Sequence, residues 1–173
     1  LRHGIVHNQI TTRKQLEKIA ELKLAVMYQP IFLQSDIPII NDRIGDELAE
    51  TSYAFNTLYK IGAPVSLSTD ATVEDCNPLE NIYLSVNRKR LDGTPEEGYY
   101  PEENMSVEDA IDGYTIMSAY NEFKEDIKGR LKPGYVADMI ILDRDIFTID
   151  KNDIKNVKVE QTIVDGNIVF QSN

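Results

Sequence analysis

LRHGIVHNQITTRKQLEKIAELKLAVMYQP, residues 1–30, decides the fold. Leu1 to Val6 is short, apolar and β-branched, and reads as a buried strand that ends near His7. Thr12-x-x-Gln15 has the form of a capping box, in which each residue's side chain satisfies an orphan backbone N–H of the other, so a helix opens there. Leu16, Ile19 and Ala20 follow at helical spacing, and the alkyl stem of Lys23 can extend that stripe. Leu24 to Tyr28 is a second apolar strand, stopped by Pro30. Strand, helix and strand in this order form a β-α-β unit, whose strands run parallel and whose crossover is right-handed.

The pattern continues outward. Residues 29–45 lack periodicity and carry Pro30, Pro38 and Gly45, so they are expected to form a long loop, which serves either as a pocket wall or lid or as an ordinary packed connection. Asp46 to Tyr59 places Leu48, Thr51, Phe55 and Leu58 on one helical face, and Gly62 ends that helix. Pro64 to Ser68 is a third strand, with Thr69 and Asp70 just past its end. Asn77-Pro78 starts another helix, with Asn as N-cap and Pro in the first turn, and Leu79, Ile82, Tyr83 and Val86 form its buried stripe. Residues 91–104, rich in Gly, Pro and Glu, make a second loop. Ser106 caps a further helix that carries Val107, Ala110, Ile111, Tyr114 and Met117 on one face. After Lys128 the character changes. Ala137 to Leu142 reads as a strand, and Val157–Val164 and Asn167–Phe170 flank the hairpin signal Asp165-Gly166. The chain is therefore α/β: residues 1–127 hold parallel strands and helices, and residues 128–173 form a small antiparallel β region.

Composition limits the partners. The 173 residues include 29 Asp and Glu against 18 Lys and Arg, a net charge of −11. Such a surface repels phosphate backbones and anionic lipid, so neither nucleic acid nor a membrane is expected as a partner. Cys76 is the single cysteine, so no disulfide can form within the chain, which fits a reducing, cytoplasmic setting. No apolar run approaches the ~20 residues of a membrane helix.

Two polar residues sit at C-terminal strand ends, the place where α/β barrels build active sites. His7 ends the first strand and Asp70 follows the third. A neutral imidazole and a carboxylate are both good ligands for a divalent ion such as zinc. A carboxylate beside a metal-activated water can also take its proton and pass it to a leaving group. Taken singly, a His at a strand end is more often a satisfied structural residue, and an Asp after a strand more often a turn or cap residue. Cys76 lies beside Glu74 and Asp75, which disfavour a thiolate nucleophile. The residues alone stop at an α/β chain whose chemistry is compatible with hydrolysis.

The order of motifs carries further. Arg2-His-Gly-Ile-Val-His-Asn-Gln9 resembles the sixth-strand motif of the amidohydrolase superfamily, in the branch of large metal-dependent enzymes related to N-acyl-amino-acid deacylases. VMYQP (residues 26–30) is similar to the seventh strand and its loop. SYAFNTLYKIGAPVSLSTDATV (52–73) is similar to the eighth strand with the helix before it. NPLENIYLSVNRK (77–89) and SVEDAIDGYTIMSAY (106–120) resemble the helices that follow. KGRLKPGYVADMIILDRD (128–145) and TIVDGNIVF (162–170) resemble the return to a small β-sandwich and its final hairpin. The sequence departs from the family at Val6, where Glu is usual, at Asn8, where Ala is usual, and at Thr72, where Pro is common.

The resemblance implies the C-terminal part of a TIM-type (β/α)8 barrel, about strands six to eight, together with part of a β-sandwich. It implies a metal-dependent hydrolase that acts on an amide or another C–N or C–O bond of a small-molecule substrate. The cofactor is one or two divalent ions, zinc first, with His7 as ligand and Asp70 as ligand and proton shuttle. Tyr28 and Gln29 are expected either to line the substrate pocket or to pack the loop, and Gln9 to buttress His7. The family's His-x-His pair and its mid-barrel ligands have no counterpart here, since His3 and His7 are the only histidines. One His and one Asp fall short of the three protein ligands usual for catalytic zinc. The chain by itself is thus expected to be a fragment, inactive alone, that self-associates or forms homo-oligomers through exposed core faces. Two other readings stand beside this one: a non-catalytic relative that keeps the fold as a binding or regulatory module, and a complete small α/β binding domain.

Overall fold

The computed structural model describes residues 1–172. Strands β1 (Gly4–Val6), β2 (Ala25–Tyr28) and β3 (Val65–Leu67) form one parallel sheet in that order, with Ile5 opposite Val26 and Val26 opposite Val65. Helix α1 (Arg13–Glu21) is the crossover from β1 to β2. Both halves of its capping box form, and the helix buries Leu16 and Ile19. It ends before Lys23, which is exposed and left-handed (φ 51°) and so lies outside the stripe it was expected to extend.

Successive strand residues face opposite sides, so Val26 shares a face with Tyr28, and Val65 with Leu67. That face is the covered one. Tyr28 meets the ring of Phe55 edge-on at 4.6 Å, and Leu67 lies so close to Gly113 that a Cβ there would fall 2.8 Å from Leu67 Cγ. All four side chains are buried, each contributing about 1.5–3 kcal/mol. The other face carries Val6, Met27 and Ser66. It is open at the β1 edge, where Val6 is 53 % exposed, and covered toward β3, where Ser66 is buried and its hydroxyl accepts from Asn121 Nδ2 at 2.7 Å.

Residues 29–45 are not a loop. They form a 3-10 turn (Pro30–Phe32), α2 (Leu33–Asp36) and α3 (Ile40–Ile44), each anchored by one or two buried residues, Ile31, Leu33 and Ile40. Turns this short leave no periodic stripe to read. Side chains from elsewhere fix the segment: Ile31 N–H donates to Asn81 Oδ1 (2.9 Å), Arg90 Nε to the Gln34 carbonyl (3.1 Å) and the Tyr99 hydroxyl to Asn41 Oδ1 (3.0 Å). It is a packed connection, held by its buried residues and by these bonds.

The helix expected over 46–59 is broken into α4 (Asp46–Ala49) and α5 (Phe55–Lys60). Between them Tyr53 turns left-handed (φ 52°) and its N–H donates to the Gln9 carbonyl at 2.8 Å. The Ser52 hydroxyl bonds the Leu48 carbonyl (2.7 Å), and the Thr51 hydroxyl bonds that of Thr11. These bonds compete with helical ones and tie the break to the end of β1. Helix α6 (Pro78–Asn87) forms as read, with Asn77 Oδ1 accepting from Leu79 N–H (3.1 Å). The helix after Ser106 divides at Thr115 into α7 (Val107–Tyr114) and α8 (Ile116–Asn121).

Strands β4 (Met139–Leu142), β5 (Val159–Val164) and β6 (Asn167–Gln171) form the expected antiparallel meander. Asp165 and Gly166 both have positive φ (48° and 76°), as a two-residue type I′ turn requires. Val157, read as the start of β5, is instead buried with Ile146 and Ile154 in the core that holds Phe55 and Leu84, so the strand begins at Val159. The meander's own side chains Ile140, Ile168, Val169 and Phe170 are each about half exposed. No helix among the described residues is long and apolar enough to cross a membrane.

Candidate active site

The three parallel strands end on one side of the sheet, and a polar relay runs across those ends. His7 continues the β1–β2 ladder, its N–H donating to the Met27 carbonyl at 2.9 Å. Its Nδ1 lies 2.7 Å from Gln29 Oε1. The amide's orientation follows from its other partners: Gln29 Nε2 donates to the Met27 carbonyl (3.2 Å), which can only accept, and to Ser68 Oγ (2.6 Å). The oxygen end therefore faces His7, so Nδ1 carries a proton, and of the two neutral tautomers this bond selects the one with its lone pair on Nε2. His7, Gln29 and Ser68 are thus joined across all three strands. Phe32 stands beside the imidazole, ring centroids 5.7 Å apart.

Asp70 lies beyond β3 at the same end, half-buried, and its carboxylate has no hydrogen-bond or ion-pair partner among the described residues. The backbone is left-handed at His7 (φ 70°), Asn8 (φ 46°) and Asp70 (φ 57°). The same conformation occurs away from these strand ends, at Lys23, Arg88 and Asp165 among others, so it shapes the turns here without marking them as a site. A free imidazole nitrogen and an unpaired carboxylate suit a divalent cation. They supply two donors, and no cluster of three or more His, Cys, Asp or Glu occurs among the described residues.

Tyr28 and Gln29 occupy different positions from each other. Tyr28 is fully buried on the covered face, where its hydroxyl accepts from Asn8 Nδ2 at 2.7 Å. Burial pushes its phenol up, opposed in part by that donation. Gln29 is 3 % exposed, and its polar atoms are engaged by His7, Met27 and Ser68. Gln9 makes no side-chain hydrogen bond to His7; its Nε2 donates to the Tyr53 hydroxyl, and the Tyr53 hydroxyl donates to Asp36 Oδ2. The buttress of His7 is Gln29.

Sequence reading missed Ser68, Asp36 and Arg88. Ser66 and Ser68 alternate with Val65 and Leu67, which marks a strand with one polar-tolerant face, and that was the available signal. Arg88, left-handed at the end of α6, is wholly buried. It donates from Nε to the Tyr99 carbonyl and from Nη1 to the Tyr53 carbonyl (2.8 Å), with the rings of Phe55 and Tyr99 within 5.6 Å, while Nη2 has no partner. Burial lowers its pKa to about 10 against the opposing pull of Glu103. Nothing in the spacing of SVNRK announces a buried guanidinium.

Comparison with known proteins bears on the family and the fold. The model of the amidohydrolase family matches residues 1–170. YtcJ of Bacillus subtilis (strain 168), a protein named for the amidohydrolases, is 31 % identical over 169 residues, which is 98 % of this chain and 32 % of that protein. An N-substituted formamide deformylase of Arthrobacter pascens is 26 % identical over 119 residues, 69 % of this chain and 21 % of that one. The crystal structure of an uncharacterized metal-dependent hydrolase from Pyrococcus horikoshii OT3 superposes with a TM-score of 0.76 at 32 % identity, covering 86 % of this chain and 30 % of that chain. The chain therefore spans about a third of the length of the first relatives it matches, and its α/β architecture is theirs over that span.

Proposed function

The chain belongs to the amidohydrolase family, and from that premise we propose that the full-length protein hydrolyses a carbon–nitrogen bond of a small-molecule amide with the help of a divalent metal. The observation that carries this reading is the Gln29–His7 bond. It fixes one tautomer and leaves Nε2 as a ligand at the end of β1, as a histidine held by a second partner does in metal sites.

His7 and Asp70 are the residues of this chain that would hold the ion, and zinc is the ion we assign because imidazole nitrogen and carboxylate oxygen both suit it. When bound, the ion supplies Lewis acidity to the scissile carbonyl and to the attacking water. Asp70 accepts the proton of that water on a carboxylate oxygen and delivers it to the departing amine nitrogen. Gln29 keeps the imidazole in register, and Ser68 holds Gln29. Gln29 and Tyr28 then serve the pocket at one remove, Gln29 by orienting His7 and Tyr28 by orienting Asn8. The A. pascens relative, whose name describes the cleavage of N-substituted formamides, supports a non-peptide amide as the substrate class.

The test is turnover. The zinc-loaded full-length protein is offered a series of N-formyl and N-acetyl amines, and released amine is measured for the parent and for Asp70→Asn. The reading predicts hydrolysis, with kcat falling by about 10²–10⁴-fold in the variant. A loaded protein that releases amine from no member of the series leaves a binding module as the better description.

A further inference from the structure

A second carboxylate, Asp36, lies one turn beyond Phe32, whose ring neighbours His7, and the hydrolytic reading gives it no task. Asp36 ends α2, four residues after Phe32, so the two share one face of the turn, about 5–6 Å apart at Cβ. Phe32 is the ring that touches His7. From the other side Gln9, two residues past His7, reaches Asp36 Oδ2 at 3.4 Å, and the Tyr53 hydroxyl donates to the same oxygen. Both donors converge on Oδ2, leaving Oδ1 without a partner among the described residues, and no Lys, Arg or His lies in ion-pair contact with the carboxylate.

The setting is rigid. Tyr53 is 1 % exposed and left-handed, its N–H is held by the Gln9 carbonyl and its carbonyl by the guanidinium of Arg88. Burial, and then Asp36 itself, push the Tyr53 phenol up, so it remains a donor to the carboxylate throughout the neutral range. Asp36 is only half-buried, so a small molecule can reach Oδ1. A fixed, accessible carboxylate beside an aromatic ring is what a cationic group with an apolar stem requires.

We propose that Asp36 recognises a positively charged group on the substrate, with Phe32 packing against the apolar link between that group and the amide at His7. The net charge of −11 favours the approach of such a ligand. This specificity rests on the amide-hydrolase reading, and it is tested by binding rather than turnover so that the two can fail separately.

Calorimetric titration of the full-length protein compares N-acetyl-1,4-diaminobutane, which carries an ammonium, with N-acetylpentylamine, its neutral isostere. The parent is expected to bind the cation at least about tenfold more tightly, the effect of one charge-assisted hydrogen bond. Asp36→Asn keeps an acceptor for Tyr53 and should bring the ratio to near one. Asp36→Glu and Tyr53→Phe, which keep the charge, should preserve the preference. Equal affinity for the two compounds in the parent, binding of neither, or a preference that survives Asp36→Asn overturns the proposal. A parent that prefers the cation and hydrolyses neither compound refutes only the hydrolytic reading. A hydrolase without the preference refutes only this one.

Discussion

At the scale of single residues the account turns on which nitrogen of His7 is free. The Gln29 amide decides it, and so Gln29, read from the sequence as a pocket residue, becomes the test of the metal site. Gln29→Leu keeps the volume and removes the acceptor; metal affinity measured by competition with a chelator is expected to fall by about 10–100-fold, with Gln29→Glu retaining more of it. Arg88 offers a second check. Its removal takes the side-chain donor from the Tyr99 carbonyl and leaves the Tyr53 carbonyl only the Phe55 N–H, so Arg88→Met should destabilise the protein by about 1–3 kcal/mol in denaturant unfolding, even though a buried charge is also removed. The places of His7 and Asp70 past the ends of their strands were legible because strand ends are visible as the points where apolar runs stop. Tyr28 and Gln29 were legible as a pair but not in their orientation. Neighbours in a strand face opposite sides, and only the packing of Tyr28 on Phe55 says which side is covered.

At the scale of elements, local chemistry was readable where a side chain satisfies its own helix end. Thr12, Asn77 and Ser106 each cap as their sequences suggest. Thr12→Ala is expected to cost about 1 kcal/mol in thermal or denaturant unfolding, since both halves of the box depend on it. Helix interruptions were not readable. The break at Thr51–Ala54 is made by bonds to Thr11 and Gln9, some 40 residues earlier in the chain, and the apolar spacing across it stays helical. A tie of the same long-range kind joins the start of β1 to the segment after α8. Arg2 Nη1 donates to Glu125 Oε2 at 2.9 Å, and that bond holds the Glu125 carboxyl down at about 2. A carboxyl whose pKa is depressed on folding contributes stability that is full above its ordinary value of 4.5 and lost as the pH falls from there toward about 2. Thermal midpoints measured across that window should drop more steeply for the parent than for Glu125→Gln; parallel curves would deny the ion pair any share in acid stability.

At the scale of the molecule, both sheets leave apolar surface open: Val6 at the edge of the parallel sheet, and Ile140, Ile168, Val169 and Phe170 on the meander. Unpaired edges and apolar faces recruit partners, so the 173-residue chain taken by itself should self-associate in sedimentation velocity, and a compact monomer would count against that. The architecture at this scale was the most legible, since β-α-β order and the Asp-Gly hairpin fix sheet direction by themselves. The three strands read as strands six to eight of a barrel account for both the open edge and the two-donor site. The central claim, that His7 binds the metal of a hydrolase, meets its most direct test in the metal content of the full-length protein purified without added metal, beside His7→Ala. The account predicts roughly one or two equivalents of a divalent ion in the parent and a clear fall in the variant. A parent that stays metal-free after zinc is supplied, or a variant that keeps the full complement, would contradict it.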